Sequence, residues 1–166
     1  AHVLARQTQF TDQQDAAFSM LSSGKLVDAF DISSEPSELR DKYGRSRMGQ
    51  SLLLARRLVE HGVPYVQANM GHVQSWDTHS SNFPRLKDKL LPGIDLGVSA
   101  LIDDLEARSM LDDVLIVVVG EFGRSPSITK NGDIPEVGRN HWAWCYTGLF
   151  AGGGVRGGQV IGRSDK

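Results

Sequence analysis

Three short stretches hold the residues that could do chemistry. In "GHVQSWDTHSSN", Asp77 and His79 are two positions apart. In extended backbone that spacing turns both side chains to one side, and a carboxylate oxygen beside an imidazole nitrogen suits a divalent cation such as zinc or manganese. The same pair also reads as a loop aspartate bonding its own backbone next to a surface histidine. His72 offers a weaker imidazole five positions earlier. In "VLIVVVGEFGRSP", an apolar run and a glycine lead straight to Glu121. A buried carboxylate without a partner is costly and shifts its pKa upward, so a cation or an arginine should be near. Arg124 is close enough in sequence to be that partner, and a structural Glu–Arg pair is the alternative to a ligand role. "GRNHWAW" adds His141, a histidine that read alone is more often packed than ligating. Arg124 and Arg139 carry guanidinium forks that match phosphate or sulfate oxygens, which makes both candidates for binding an anion.

Other motifs fail in their context. Gly152, Gly154 and Gly157 in "AGGGVRGG" satisfy G-x-G-x-x-G. The residues after them, "GQVIG", read as strand rather than helix, and too little chain remains for a βαβ unit, so a turn joining two strands is the better account. No nucleophile elbow, P-loop or paired C-x-x-C occurs. The single cysteine, Cys145, excludes an internal disulfide framework and reads as a small buried hydrophobe.

Elements of both kinds must position these loops. "TDQQDAAFSMLSSG" carries a capping-box pair, Thr11 with Gln14, and a stop at Gly24, and "KLVDAFD" suggests another short helix. Ser34 as cap and Pro36 in the first turn open a helix that ends at Gly44. "RMGQSLLLARRLVEHG" carries Leu52, Ala55, Leu58 and Val59 on one stripe. A helical period runs from Phe83 to Leu105, with a kink or break expected at Pro92-Gly93. Residues 64–70, 113–119 and 144–150 read as neighbouring strands, and "GGQVIG" as a short fourth. The helices over 46–61 and 94–108 should pack on the faces of that sheet. Helices alternating with continuous apolar strands predict an α/β fold: a doubly wound, mostly parallel sheet with helices on both faces. In such sheets ligands collect outside the carboxyl ends of the strands, where the Asp77 and Glu121 loops would lie. Asp77, His79, Glu121 and His141 are therefore expected to converge there as metal ligands.

The chain has 166 residues, 40% hydrophobic and 23% charged, which suits a single domain with a real core. A net charge of −2 and a pI near 6.2 give no electrostatic reason to expect nucleic acid. No apolar run approaches the ~20 residues of a membrane-spanning helix. The sequence opens on "AHVLARQ" and stops at "IGRSDK" without a clear terminal element, so residues 1–166 are expected to be the middle to C-terminal part of a larger domain. The sheet should then be incomplete, with apolar surface left for the rest of the parent polypeptide.

Taken together, "SWDTHSSN", "LEARSMLDDVLIVVVGEFGRSP", "GRNHWAW" and "LFAGGGVRGGQVIGRSD" resemble a bacterial family of exported proteins, domain of unknown function 1501. That family belongs with the alkaline phosphatase and sulfatase superfamily, and "AFDISSEPSELRDKYG" and "LLLARRLVEHGVPYVQ" extend the resemblance over nearly the whole chain. The resemblance implies an alkaline phosphatase-like fold and a metal-dependent hydrolase of phosphate or sulfate esters acting on a small anionic ester. It implies one or two divalent ions (zinc, manganese, calcium or magnesium) and a periplasmic or secreted location. By position, Asp77 and His79 match the mid-chain ligand pair, Glu121 the carboxylate after the next core strand, and His141 the late histidine. Phe122 stands where the superfamily commonly has a second ligand histidine, and Asp77 and His79 are closer together than the usual pair. The nucleophile of the superfamily comes from an early strand that this sequence does not include. A binding or scaffold protein that keeps the fold without the chemistry is the alternative.

Overall fold

The computed structural model describes residues 24–72, 74–130 and 136–163, together with 11, 12, 14, 15, 17–19 and 22. The described residues between Thr11 and Ser22 are helical. Gly24 is itself helical and opens α1, Gly24–Phe30, and the end of the helix expected before it lies outside the described residues. Leu26 and Ala29 of α1 are buried. Arg57 also donates from Nε to the Ala29 carbonyl at 2.9 Å and from Nη2 to the Asp28 carbonyl at 2.6 Å, satisfying acceptors that a helix end leaves unpaired.

Ser34 closes a 3₁₀ turn, Ile32–Ser34, instead of capping a helix; Pro36 takes the cap position of α2, Ser37–Lys42. The chain then turns through Gly44 at φ +80°. Ser46 caps α3, Arg47–Glu60, by accepting from the Gly49 amide at 3.3 Å. Gly49 is required at that place, because a Cβ there would lie 1.9 Å from the Tyr43 carbonyl oxygen.

α4, Asn82–Arg85, runs through a π-helical turn, Leu86–Leu90, into α5, Leu91–Ala107. The distortion expected at Pro92-Gly93 lies one turn earlier. Pro92 has no amide hydrogen and its ring crowds the preceding turn; the helix widens there, and the Leu91 amide reaches back five residues to the Leu86 carbonyl. α3 and α5 pack face to face around Tyr43, Leu52, Leu53, Val98, Leu101 and Leu105, with Ile116 of the first strand completing the buried cluster.

The sheet differs from the doubly wound parallel arrangement. Three antiparallel ladders are nested: β1 (Ile116–Val118) pairs with β6 (Leu149–Ala151), β2 (Gly123–Arg124) with β5 (His141–Trp142), and β3 (Thr129–Lys130) with β4 (Val137–Gly138). A parallel neighbour requires a crossover of a dozen or more residues, usually a helix. Between β1 and β6 the described residues contain none, so the chain doubles back and its return strands must run antiparallel. Residues 64–70 make no ladder among the described residues, although Ala68 and Met70 pack on the core. Of 144–150, only the end is strand. Residues 157–162 are irregular, with Val160 and Ile161 almost fully exposed, so the glycine run after β6 does not join two strands. Cys145 is exposed, not buried.

β1 is covered on one face only. Ile116 is 8% exposed and meets the helices, whereas Leu115, Val117 and Val119 are about half exposed, as is Phe150, the cross-strand partner of Val117. Among the described residues, no helix is long and apolar enough to cross a membrane.

Candidate metal centre

The loop carrying Asp77 and His79 is held from several sides. The Trp76 indole donates to the Met70 carbonyl at 2.5 Å, and Arg85 donates to the Ser75 carbonyl at 2.9 Å. Two successive three-residue turns, Thr78 amide to Trp76 carbonyl at 3.0 Å and His79 amide to Asp77 carbonyl at 3.1 Å, shape the segment itself. Thr78 is buried, and its hydroxyl donates to the Asn82 side chain at the start of α4. β4 leans against the same loop: a Cβ on Gly138 would lie 2.0 Å from the His79 carbonyl oxygen and 2.6 Å from the Ser80 amide. The next residue donates its amide, Arg139 to the Thr78 carbonyl at 3.3 Å.

The β2–β5 register supplies the rest. Arg124 and His141 are directly paired across the ladder, so their side chains stand side by side on one face. Both reach Asp77 Oδ1, Arg124 from Nη2 at 2.7 Å and His141 from Nε2 at 2.8 Å. His79 Nε2 lies 3.0 Å from the same oxygen and 3.2 Å from His141 Nε2. One carboxylate oxygen and two imidazole nitrogens thus gather within 4.8 Å, and they form a possible metal site. Zinc bonds of ~2.0–2.1 Å at tetrahedral angles place neighbouring ligand atoms ~3.3 Å apart. The observed spacings therefore need only a few tenths of an ångström of outward relaxation to fit. All three side chains keep access to solvent, at 32%, 39% and 50% for Asp77, His79 and His141.

Glu121 does not join them. Among the described residues the metal-competent group is Asp77, His79 and His141, and Glu121 is exposed in the bend between β1 and β2. The reason for expecting a cation over it also falls away, because the strand before it is not buried on both faces. Phe122 packs its ring against His141 at 4.4 Å between centroids.

The arginines are engaged inside the protein. Arg124 donates to the carbonyls of Trp76 at 3.0 Å and Arg139 at 3.2 Å as well as to Asp77, which makes it an internal counter-ion. Arg139 stacks its guanidinium 5.9 Å from the centre of the Phe83 ring. His72 is a neighbour of Arg47, 3.5 Å from its Nη1, and stands outside the cluster.

Hydrogen bonds from His141 and then Arg124 pull the Asp77 carboxyl down to about 2. A depressed carboxyl contributes stability that is complete above its ordinary pKa of ~3.9 and fades as the pH falls toward the folded value.

One residue of the site is silent in the sequence. Asn140 Oδ1 lies 3.0 Å from His79 Nδ1, on the ring edge away from the cluster. An asparagine before a histidine carries no pattern of its own, and only the docking of β5 against the 77–80 loop gives it a role.

No curated protein and no solved structure matches the chain. A family profile matches residues 3–166, nearly the whole sequence, and the chain accordingly belongs to the family described as "Protein of unknown function (DUF1501)".

Proposed function

We propose that this chain carries the metal centre of a hydrolase acting on phosphate or sulfate esters, with Asp77, His79 and His141 holding one divalent cation. The observation that carries this reading is the meeting of the three ligand atoms at a solvent-accessible point. Two imidazoles, which are borderline donors, with one hard carboxylate oxygen suit zinc first and manganese second, with calcium and magnesium less well matched. Three protein ligands with room for a fourth are the pattern of catalytic zinc sites, whereas structural sites close all four positions. A cation so held would polarise an ester oxygen and offset charge on the leaving group. The resemblance to alkaline phosphatases and sulfatases supports the ester class and an exported location. Arg124, fixed beside the centre, contributes positive potential where an anionic ester would approach.

The same arginine favours a second reading. With Arg124 already 2.7 Å from Asp77, the cluster is neutralised without a metal, as a scaffold protein that retained the fold would need. The two readings separate in one assay. Full-length protein stripped with a chelator and resupplied with zinc or manganese should hydrolyse aryl phosphates or aryl sulfates, and His141→Ala should abolish that activity. Hydrolysis at equal rates with and without metal would overturn the metal-centre reading, and no hydrolysis of either ester class would favour the scaffold.

A further inference from the structure

We propose that Asn140 is a positioning residue of this centre: its side-chain carbonyl fixes His79 in the tautomer that presents the Nε2 lone pair to the cation. The inference rests on the metal-centre reading and extends it to a residue that touches no metal. His79 has Asn140 Oδ1 3.0 Å from Nδ1, and on its other edge Nε2 faces Asp77 Oδ1 at 3.0 Å and His141 Nε2 at 3.2 Å. An amide oxygen only accepts, so the nitrogen facing it must carry the hydrogen. A neutral imidazole has one N–H, and the bond made by one nitrogen decides the state of the other. With the proton held on Nδ1, Nε2 keeps its lone pair for the cation. Without the Asn140 oxygen that tautomer loses this support, and the proton can move to Nε2 and be shared with the Asp77 carboxylate, which weakens ligation.

The backbone places Asn140 for this task. Its carbonyl accepts from the Ser125 amide at 2.8 Å, which pins the residue at the head of β5, next to the ligand His141. Asn140 thus ties the two ligand segments together, one by chain connectivity and one by its side chain. Being neutral, asparagine orients the ring without adding charge. A carboxylate in its place would keep the orientation and raise the basicity of the imidazole, as the carboxylates that back zinc-bound histidines do.

The test combines zinc titration with ring ¹⁵N NMR on the full-length protein, above the pH range in which imidazoles carry charge. In metal-free wild type, His79 should show its proton on Nδ1. Asn140→Ala should lose that signature and bind zinc roughly 10–100-fold more weakly, the range seen when such outer partners are removed. Asn140→Asp should keep the signature and bind zinc at least as tightly as wild type. A role in packing alone would not give rescue by aspartate. Zinc affinity unchanged in Asn140→Ala, or a metal-free His79 protonated on Nε2, would overturn the role of Asn140 alone. Failure of wild type to bind zinc would overturn the metal-centre reading and the positioning role with it.

Discussion

Replacing Gly138 with alanine should disable the metal centre while leaving the helices folded. The added Cβ would sit 2.0 Å from the His79 carbonyl oxygen and 2.1 Å from its carbonyl carbon, both backbone atoms that cannot rotate aside. β4 and the 77–80 loop must separate by an ångström or more, carrying His79 away from Asp77 and His141. Overpacking of this kind costs about 1–3 kcal/mol, and displacing a ligand by that distance should weaken metal binding on the order of 100-fold. The helical signal in circular dichroism should persist, because the buried cluster of α3 and α5 lies in a different part of the chain. Gly157→Ala, whose Cβ would meet nothing within 4 Å, is the matched control and should bind metal as wild type does. Wild-type affinity in Gly138→Ala would show that the β4 contact does not position His79.

Arg56→Ala should produce the largest loss of stability. Arg56 is 1% exposed and lies among three carboxylates: Nε is 2.8 Å from Asp104, Nη2 2.8 Å from Glu35 and Nη1 2.6 Å from Glu60. The first two are close ion pairs without hydrogen-bond alignment, and the third is a full hydrogen bond. Arg57 also bonds Glu35, Arg108 bonds Asp104 and Glu60, and the Tyr43 hydroxyl donates to Asp104 at 2.9 Å. Burial alone would raise the Glu35 carboxyl, yet the guanidinium groups of Arg56 and Arg57 against it hold it below the usual carboxylate range. Removing one partner of such a network strands the others, at about 3–5 kcal/mol. Denaturant unfolding should show that loss with metal affinity under native conditions unchanged. A change below about 1 kcal/mol would mean that solvent reaches the carboxylates and compensates them.

The same network marks a limit of sequence patterns. The apolar stripe Leu52, Ala55, Leu58 and Val59 identifies α3 with nearly the right ends, but the face that is buried is Gly49, Leu52, Leu53, Arg56 and Arg57. Hydrophobic periodicity cannot register arginines that are buried because carboxylates from α5 and the Ile32–Ser34 region meet them. Asp77 and His79 are legible from spacing, and His141 from its place in a candidate constellation. What closes the distance is the β2–β5 register, a pairing of two residues per strand with too little apolar pattern to announce itself. Glu121 misleads for a related reason: "VLIVVV" reads as a doubly covered central strand, whereas alternate residues of β1 are exposed. Alternation of helices and strands suggests parallel order, and it does not reveal that the chain doubles back between residues 118 and 149.

Whether Asp77, His79 and His141 hold one divalent cation is decided by zinc titration in a calorimeter. Metal-free wild-type protein should bind one zinc ion per chain. Asp77→Asn, His79→Ala and His141→Ala should each weaken that binding by on the order of 100-fold or more, while Glu121→Gln should leave it intact. Absence of zinc binding in wild type, binding indifferent to all three ligand substitutions, or binding lost in Glu121→Gln would refute this ligand set.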